Sequence, residues 1–334
     1  MRIAALIPQG IVNSIYRSLV PMQALAQRGH TVHIEERNEI RNPEALFEYD
    51  AVQFMRFFQP PMQRLARRLR EAGVAVVWDN DDDFSVSADV SDASLYRQRA
   101  TAVMRGMVRS ADAVTTPSEV LADRYRAMGN EHVAVLPNQL PEIFTRPDRV
   151  TPHPGVTIGW HAAPDRQADY ERLGLRTTFE RLLNRHPHLE VISVGFGLGL
   201  SSRRYRGYPL HDYGELPSVL VHFDVGLAPL VDTPFNRARS DVKLKEYGAV
   251  GTPWLASPLT PYAGLGEAQG GRLVEDDDWH DEIEELIVET DERRRLARRA
   301  RLWAQGESIE HHVDAWEQTY ADAIERARAA HAVR

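Results

Sequence analysis

The run from Phe223 to Ser257, FDVGLAPLVDTPFNRARSDVKLKEYGAVGTPWLAS, holds the densest set of residues able to do chemistry. Its start, Asp224–Pro229, reads as a buried strand. A loop follows with Asp232, Pro234, Asn236, Arg237 and Arg239, and Ser240 or Asp241 can cap a helix beginning there. Lys243 and Glu246 then fall in the first two turns of that helix, three residues apart on one face. A helix N-terminus favours anions, and a lysine at that end adds a point charge. A carboxylate one turn further along can accept a pair of sugar hydroxyls. A cation near a diphosphate and a carboxylate near a ribose make a grip for a nucleoside diphosphate. Gly248 and Gly251 keep the helix thin and end it before a strand at Trp254–Ala256. Lys243 and Lys245 are the only lysines among 40 basic residues, which marks positions where a compact ammonium is retained.

Such a grip needs a scaffold. At 334 residues the chain suggests two domains of roughly 150 residues each. Short apolar runs alternate with longer amphipathic segments, the pattern of an α/β protein with parallel strands. The first half predicts strands at Arg2–Ile7, Thr31–Ile34, Ala51–Met55, Val74–Trp78, Ala113–Thr115 and Val133–Leu136. Helices are expected at Ser18–Arg28, Met62–Ala72, Leu95–Ser110 and Ser118–Met128. Prolines 137, 141, 147, 152 and 154 then crowd into one stretch and predict a linker near 139–154. A second alternation follows. Its strands are expected at Val156–Trp160, Leu189–Val194, Val225–Pro229, Trp254–Ala256 and Gly271–Val274, and its helices at Thr177–Arg185, Leu216–Phe223, Ser240–Val250, Asp278–Thr290 and Glu292–Gln305. A last helix, Ile309–Ala330, carries Trp316 and Tyr320 at i,i+4 spacing. The expected division is 1–148, completed by a C-terminal helix over 308–334, and 149–307. Two facing doubly wound domains bind ligands beyond the carboxyl ends of their strands.

Composition narrows the function. Without cysteine the chain has no disulfide, thiolate nucleophile, iron–sulfur cluster or Cys-ligated zinc. A net charge of −8 argues against a polyanion as partner. No stretch approaches the roughly 18 apolar residues of a membrane span, and the opening MRIAALIPQG fits a buried strand better than a secretory leader. A cytoplasmic protein is expected. The cluster Arg64, Arg67, Arg68 and Arg70 around Leu65 and Leu69 leaves open a peripheral contact with anionic lipid, against the plainer reading of a solvated face.

Lys243-Leu244-Lys245-Glu246-Tyr247, followed by Gly251-Thr252-Pro253 and the apolar Trp254-Leu255-Ala256, resembles the donor-site block of GT-B glycosyltransferases, family 4 above all. Asp224–Leu230, Gly159-Trp160, Trp279, the helix with Trp316, and the segments VTTPSEVLADRY and VLPN are similar to that family too. The resemblance implies two facing Rossmann-like domains with a C-terminal helix crossing back to the first. It implies transfer of a sugar from a nucleotide-diphosphate sugar, UDP- or GDP-linked, to an acceptor hydroxyl, with retention and with no cofactor or essential metal. On the donor side it points to Glu246 at the ribose, Lys243 at the diphosphate, and Leu244, Asn236, Arg166, His161 and Gly10 around them. Lys243, Arg239 and Asp79 are the candidate catalytic groups, the first two for the charge growing on the leaving diphosphate. Two departures stand out. Many members carry a further Glu where this chain has Ala238, and an Arg and Lys after the strand where it has only Arg166.

Other motifs carry a plainer reading beside the functional one. Gly10, Ser14, Tyr16 and Arg17 follow the first strand and either line a ligand cleft or form a strand-to-helix turn. The acidic run Asp79–Asp83 either presents a base or cation ligand, with Asp79 and Asp81 toward an acceptor, or is a solvated loop of Asx turns. Gly195, Gly197 and Gly199 lack the spacing of a dinucleotide fingerprint. The acceptor is open: a small molecule, a glycan or a lipid-linked compound, with nucleic acid disfavoured by charge. Two other functions stay in view: hydrolysis or epimerisation of the nucleotide sugar alone, and a non-catalytic binding subunit, which the missing Glu at Ala238 would suit.

Overall fold

The computed structural model describes the chain except residues 11, 38–39, 41, 87–93, 142–143, 145–153, 164–165, 211 and 334, and gives only the backbone of 94–100. Most of the expected linker therefore lies outside the described residues. The chain forms two compact units, Met1–Gln139 with Ala238–Ser240 and Ile309–Arg334, and Leu140–Arg237 with Asp241–Ser308.

The first unit is a six-stranded sheet of β1 (Arg2–Ile7), β2 (Thr31–Glu36), β3 (Ala51–Met55), β4 (Ala75–Asp79), β5 (Ala113–Thr116) and β6 (Val133–Val135). The order is β2-β1-β3-β4-β5-β6 and every pairing is parallel. Helices α1 (Val20–Gln27), α2 (Pro60–Glu71), α3 (Ser94–Ser110) and α4 (Glu119–Ala127) make the crossovers, except that a 3-10 turn over Pro43–Glu48 joins β2 to β3. Strands β3 and β4 are buried at every residue, Gln53 and Asp79 included, as the central strands between helical layers must be. The order reverses between β1 and β3, so the crevice beyond their carboxyl ends is this sheet's switch point. One difference from expectation precedes α1: Ile15–Leu19 form a wide π-type turn, and the regular helix starts only at Val20.

The second unit is built from β7 (Val156–His161), β8 (Leu189–Val194), β9 (Tyr205–Tyr208), β10 (Val225–Ala228), β11 (Trp254–Ala256) and β12 (Gly271–Leu273). It carries α5 (Gln167–Arg172), α6 (Leu175–Arg185), α7 (Leu216–Leu220), α8 (Pro234–Arg237), α9 (Val242–Val250), α10 (Trp279–Val288) and α11 (Thr290–Gln305). The order β12-β11-β10-β7-β8-β9 is again all parallel, with its switch point between β7 and β10. The sequence did not announce β9, α5 or the short α8, where a loop is expected. β9 is a largely exposed edge strand broken by Gly207, so it lacks the apolar run that reveals a central strand. The last helix, α12 (Val313–Ala332), belongs to the first unit, where Trp316 and Tyr320 are buried in one core with Ile3 and Val77.

Candidate active site

In the second unit, β7 ends at His161 and α9 begins one residue before Lys243, so the switch point brings these two together. The Lys243 ammonium donates to the His161 carbonyl at 2.6 Å and lies 3.3 Å from the imidazole Nδ1. One turn along α9, the Glu246 carboxylate is 3.9 Å from the same Nδ1, with Glu246 only 4% exposed. Tyr247 fixes this geometry. Its hydroxyl accepts the His161 N–H at 3.2 Å and donates to the Leu227 carbonyl at 3.0 Å, tying β7 and β10 to α9. Burial pushes the Tyr247 hydroxyl far above its ordinary pKa, so it remains a neutral donor. Gly226 makes the approach possible, because a Cβ there would stand 2.7 Å from the Tyr247 ring. Gly251, in the left-handed region at φ +80°, closes α9 as the sequence predicts.

Other expected donor-side residues are placed differently. Arg166 is 4% exposed and spends its guanidinium on Asp169 at 2.8 Å and on the Asn236 side-chain oxygen at 2.8 Å. Asn236 donates in turn to Asp169 and to the Val231 carbonyl, both at 2.9 Å. Asp169 also accepts the Val231 N–H at 2.9 Å. Arg166 and Asn236 thus hold the loop after β10 against α5. Asp169, the centre of this network, went unnoticed in the sequence because nothing but its three-residue distance from Arg166 marks it. The Leu244 side chain is core. Arg239 is half-buried in the short segment Ala238–Ser240, which groups with the first unit, and Ala238 itself is buried. Lys245, the second lysine, is 2% exposed between Glu307 at 2.8 Å and Asp241 at 3.4 Å, an ion-pair role. Asp241 precedes α9 but makes no side-chain capping bond.

In the first unit the expected acceptor-side residues turn inward. Arg17, in the π-type turn, is wholly buried and donates to Asp79 at 2.7 Å, to the Asn138 side-chain oxygen at 3.1 Å and to the Leu136 carbonyl. Asp79 is equally buried and takes a further bond from the Thr115 hydroxyl at 2.6 Å. The side chain expected to face an acceptor therefore faces the core, because the guanidinium of Arg17 meets it there. Ser14 and Tyr16 are also buried. Gly10 takes φ +73° and its N–H donates to Glu36 at 3.2 Å. Asp81 accepts from Asn13 at 2.5 Å and from Arg56 at 2.6 Å, and Arg56 reaches Asp82 at 2.6 Å. Burial opposes ionisation of Asp81, but the Arg56 charge outweighs it and holds the carboxyl below its usual range. Arg56 escaped notice in the sequence. Among the described residues it is the sole non-glycine residue in the left-handed region, at φ +55°.

Residues 37–139 match the glycosyl transferase 4-like domain family. No curated protein matches the sequence. Three solved structures are similar over nearly the whole chain. HepE from Anabaena, in complex with UDP-glucose, is 14% identical, with 97% of this chain and 99% of that one covered at a TM-score of 0.67. Sucrose-phosphate synthase from Thermosynechococcus elongatus is 16% identical, with 97% and 100% covered at 0.69. An alpha-glucosyltransferase in complex with UDP and a 13-mer DNA containing an HMU base is 11% identical, with 97% and 99% covered at 0.68. The fold is GT-B. Its first unit carries the match to the glycosyl transferase 4-like domain family, over residues 37–139.

Proposed function

We propose that this enzyme moves a sugar from a UDP-linked donor to an acceptor hydroxyl, with retention and without an essential metal. The carrying observation is the convergence of Lys243, Glu246 and His161 at the β7/β10 switch point. In this reading Glu246 accepts the ribose hydroxyls. The Lys243 ammonium, held toward His161, and the N-terminus of α9 stabilise the charge that grows on the leaving diphosphate. Two fixed positive groups at that oxygen do the work a divalent ion does in other transferases. Arg166 and Asn236 position the loop after β10, and Asp79 with Arg17 stiffens the first unit. Arg239 is a second candidate for the diphosphate. The UDP base is supported by HepE and the alpha-glucosyltransferase, both solved with it. The net charge of −8 argues against nucleic acid as this chain's acceptor. Among the described residues no helix is long and apolar enough to cross a membrane.

The test is a thermal-shift panel with UDP, GDP, ADP, CMP and dTDP, with and without Mg²⁺. A ligand at 100 times its Kd stabilises by about 2.7 kcal/mol. UDP is expected to shift the protein equally with and without the metal, and to lose the shift in Glu246→Ala. A shift by none of the five would overturn the donor reading. Release of free sugar without any acceptor would move the assignment to hydrolysis. Retention is read from the anomeric configuration of the product by NMR.

A further inference from the structure

The first unit contains a cavity of about 1130 Å³, at or just above the range of small-molecule sites. It lies at that sheet's own switch point. Pro8, just past β1, and Arg56 to Gln59, just past β3, form one wall; Ile40 with Pro43, α2 and Phe84 form the rest. Its surface is dominated by Ile40, Phe57, Phe58, Met62, Leu65 and Phe84. The Phe58 and Phe84 rings lie 5.9 Å apart, inclined at 44°.

This wall is built to hold its shape. The Trp78 indole donates to the Phe57 carbonyl at 3.0 Å, and Gln63 donates to the Phe58 carbonyl at 2.8 Å. Arg56 turns the chain in the left-handed region while Asp81 and Asp82 grip its guanidinium, which lies 5.5 Å from the Phe84 ring centre. Strained backbone of this kind persists where surrounding contacts over-determine it, and it concentrates at ligand sites.

Charge is distributed unevenly around the opening. Arg56 is satisfied by its two aspartates, and Arg68 pairs with Glu44 at 2.7 Å. Arg64 also lines the cavity; it is exposed and has no ion pair or hydrogen bond among the described residues. The site therefore offers rings and alkyl groups for a body, and one uncommitted guanidinium for an anion. A sugar chain would need a dense set of hydrogen-bonding groups, which the described residues of this lining lack.

We propose that this cavity binds the acceptor, and that the acceptor is a small amphiphile with an apolar, ring-sized body and a carboxylate or similar anion set against Arg64. This rests on the sugar-transfer reading above and names its acceptor class. The probes are 1-anilinonaphthalene-8-sulfonate and its uncharged counterpart N-phenyl-1-naphthylamine, titrated by fluorescence into the full chain. Each is expected to saturate one site. Phe58→Ala and Met62→Gln, made separately, should each weaken both probes by about tenfold. Arg64→Gln should weaken only the sulfonate, by about threefold. All three variants should keep the UDP-induced thermal shift, which shows that they are folded and that the donor reading stands. Failure of both probes to saturate, or titrations unchanged by both Phe58→Ala and Met62→Gln, would overturn the proposal. So would cosedimentation with phosphatidylglycerol vesicles that Arg64→Gln abolishes while neither probe saturates, an outcome that assigns the face to a lipid surface. Saturable, Phe58-dependent probe binding in a protein that no nucleotide shifts would overturn the acceptor role and leave an apolar site.

Discussion

In the first unit, Asp79 closes β4 and meets Arg17, which is itself saturated by Asp79, Asn138 and Leu136, with no exposure on either side chain. In the second unit, Lys243 opens α9 and donates to a main-chain carbonyl, with a carboxylate one turn further on and an imidazole between them. Both are charges set beside the carboxyl ends of parallel strands. The first arrangement cancels its charge inside the fold; the second keeps cation, carboxylate and imidazole side by side at a switch point. A buried pair of the first kind contributes mainly by never being broken, since removing one partner strands the other charge in a low-dielectric core. A group of the second kind, in the proposed reading, contributes by what it does to a ligand.

The largest expected effect follows from breaking the closed pair. Asp79→Ala leaves Arg17 buried without its counter-charge and should destabilise the chain by about 3–5 kcal/mol. Urea unfolding checks the magnitude. At temperatures where the variant is folded, its UDP-induced shift should equal that of the wild type. A variant of normal stability but lost turnover would reverse the comparison and return Asp79 to the reaction.

Lys243→Ala should show the opposite profile. Loss of one fixed positive group at the leaving diphosphate is expected to lower turnover by about 10²- to 10³-fold. Its urea midpoint should stay close to the wild-type value, because Lys243 is only half-buried and the Tyr247 hydroxyl still ties β7 to α9. Initial rates with saturating donor, set beside the unfolding curves, separate the two profiles.

Tyr247→Phe lies between them. It removes one hydroxyl that bonds both the His161 N–H and the Leu227 carbonyl. The expected loss is about 1–2 kcal/mol of stability. Because His161 also carries the bond from Lys243, UDP affinity should weaken a few-fold in the same variant. An unchanged UDP affinity would mean that α9 and β7 hold their register without the tyrosine.

The contrast between the pairs also explains what was legible in the sequence. The α/β alternation, the strands Arg2–Ile7, Ala51–Met55, Leu189–Val194 and Trp254–Ala256, and the helix start at Ser118 were readable because each is a local pattern of apolar runs and turn residues. Lys243 and Glu246 were readable for the same reason, since three residues on a helix fix their common face. Asp79 looked equally suited to chemistry, but its meaning depends on Arg17, 62 residues away and delivered by a π-type turn that no periodicity announces. Arg166 reads as a phosphate-side cation in the sequence, and Asp169 and Asn236 close on it only in three dimensions. The apolar cavity was invisible for a further reason: its walls come from five separate segments, and its hinge, Arg56, adopts a backbone conformation that sequence patterns reserve for glycine. Gly195 is the converse case. A Cβ there would meet the Ala162 carbonyl at 2.0 Å, so its place in a glycine-rich run reflects close strand packing.

The smallest effect tests whether pairing, and not the identity of the unit, governs these differences. The second unit has its own closed network, in which Arg272 reaches Glu282, Glu285 and Glu292, and Arg295 reaches Glu292 and Glu267. The Arg295 hydrogen bond, seconded by Arg272, holds Glu292 down to about 2 from its ordinary 4.5. A carboxyl whose pKa is depressed on folding adds stability that is complete above its unfolded value and is lost as pH falls toward its folded value. The window is therefore about pH 4.5 down to 2. Glu292→Gln should lack this dependence and be less stable at neutral pH, by about 1 kcal/mol or less because the pair is near the surface. UDP binding should be untouched, since none of the bonds described within this network involves Lys243 or Glu246. Urea midpoints of the variant and wild type should then differ at pH 7 and converge as pH falls toward 2. A gap that persists at pH 2 would mean that Glu292 acts through packing, and that the closed networks of the two units are not alike.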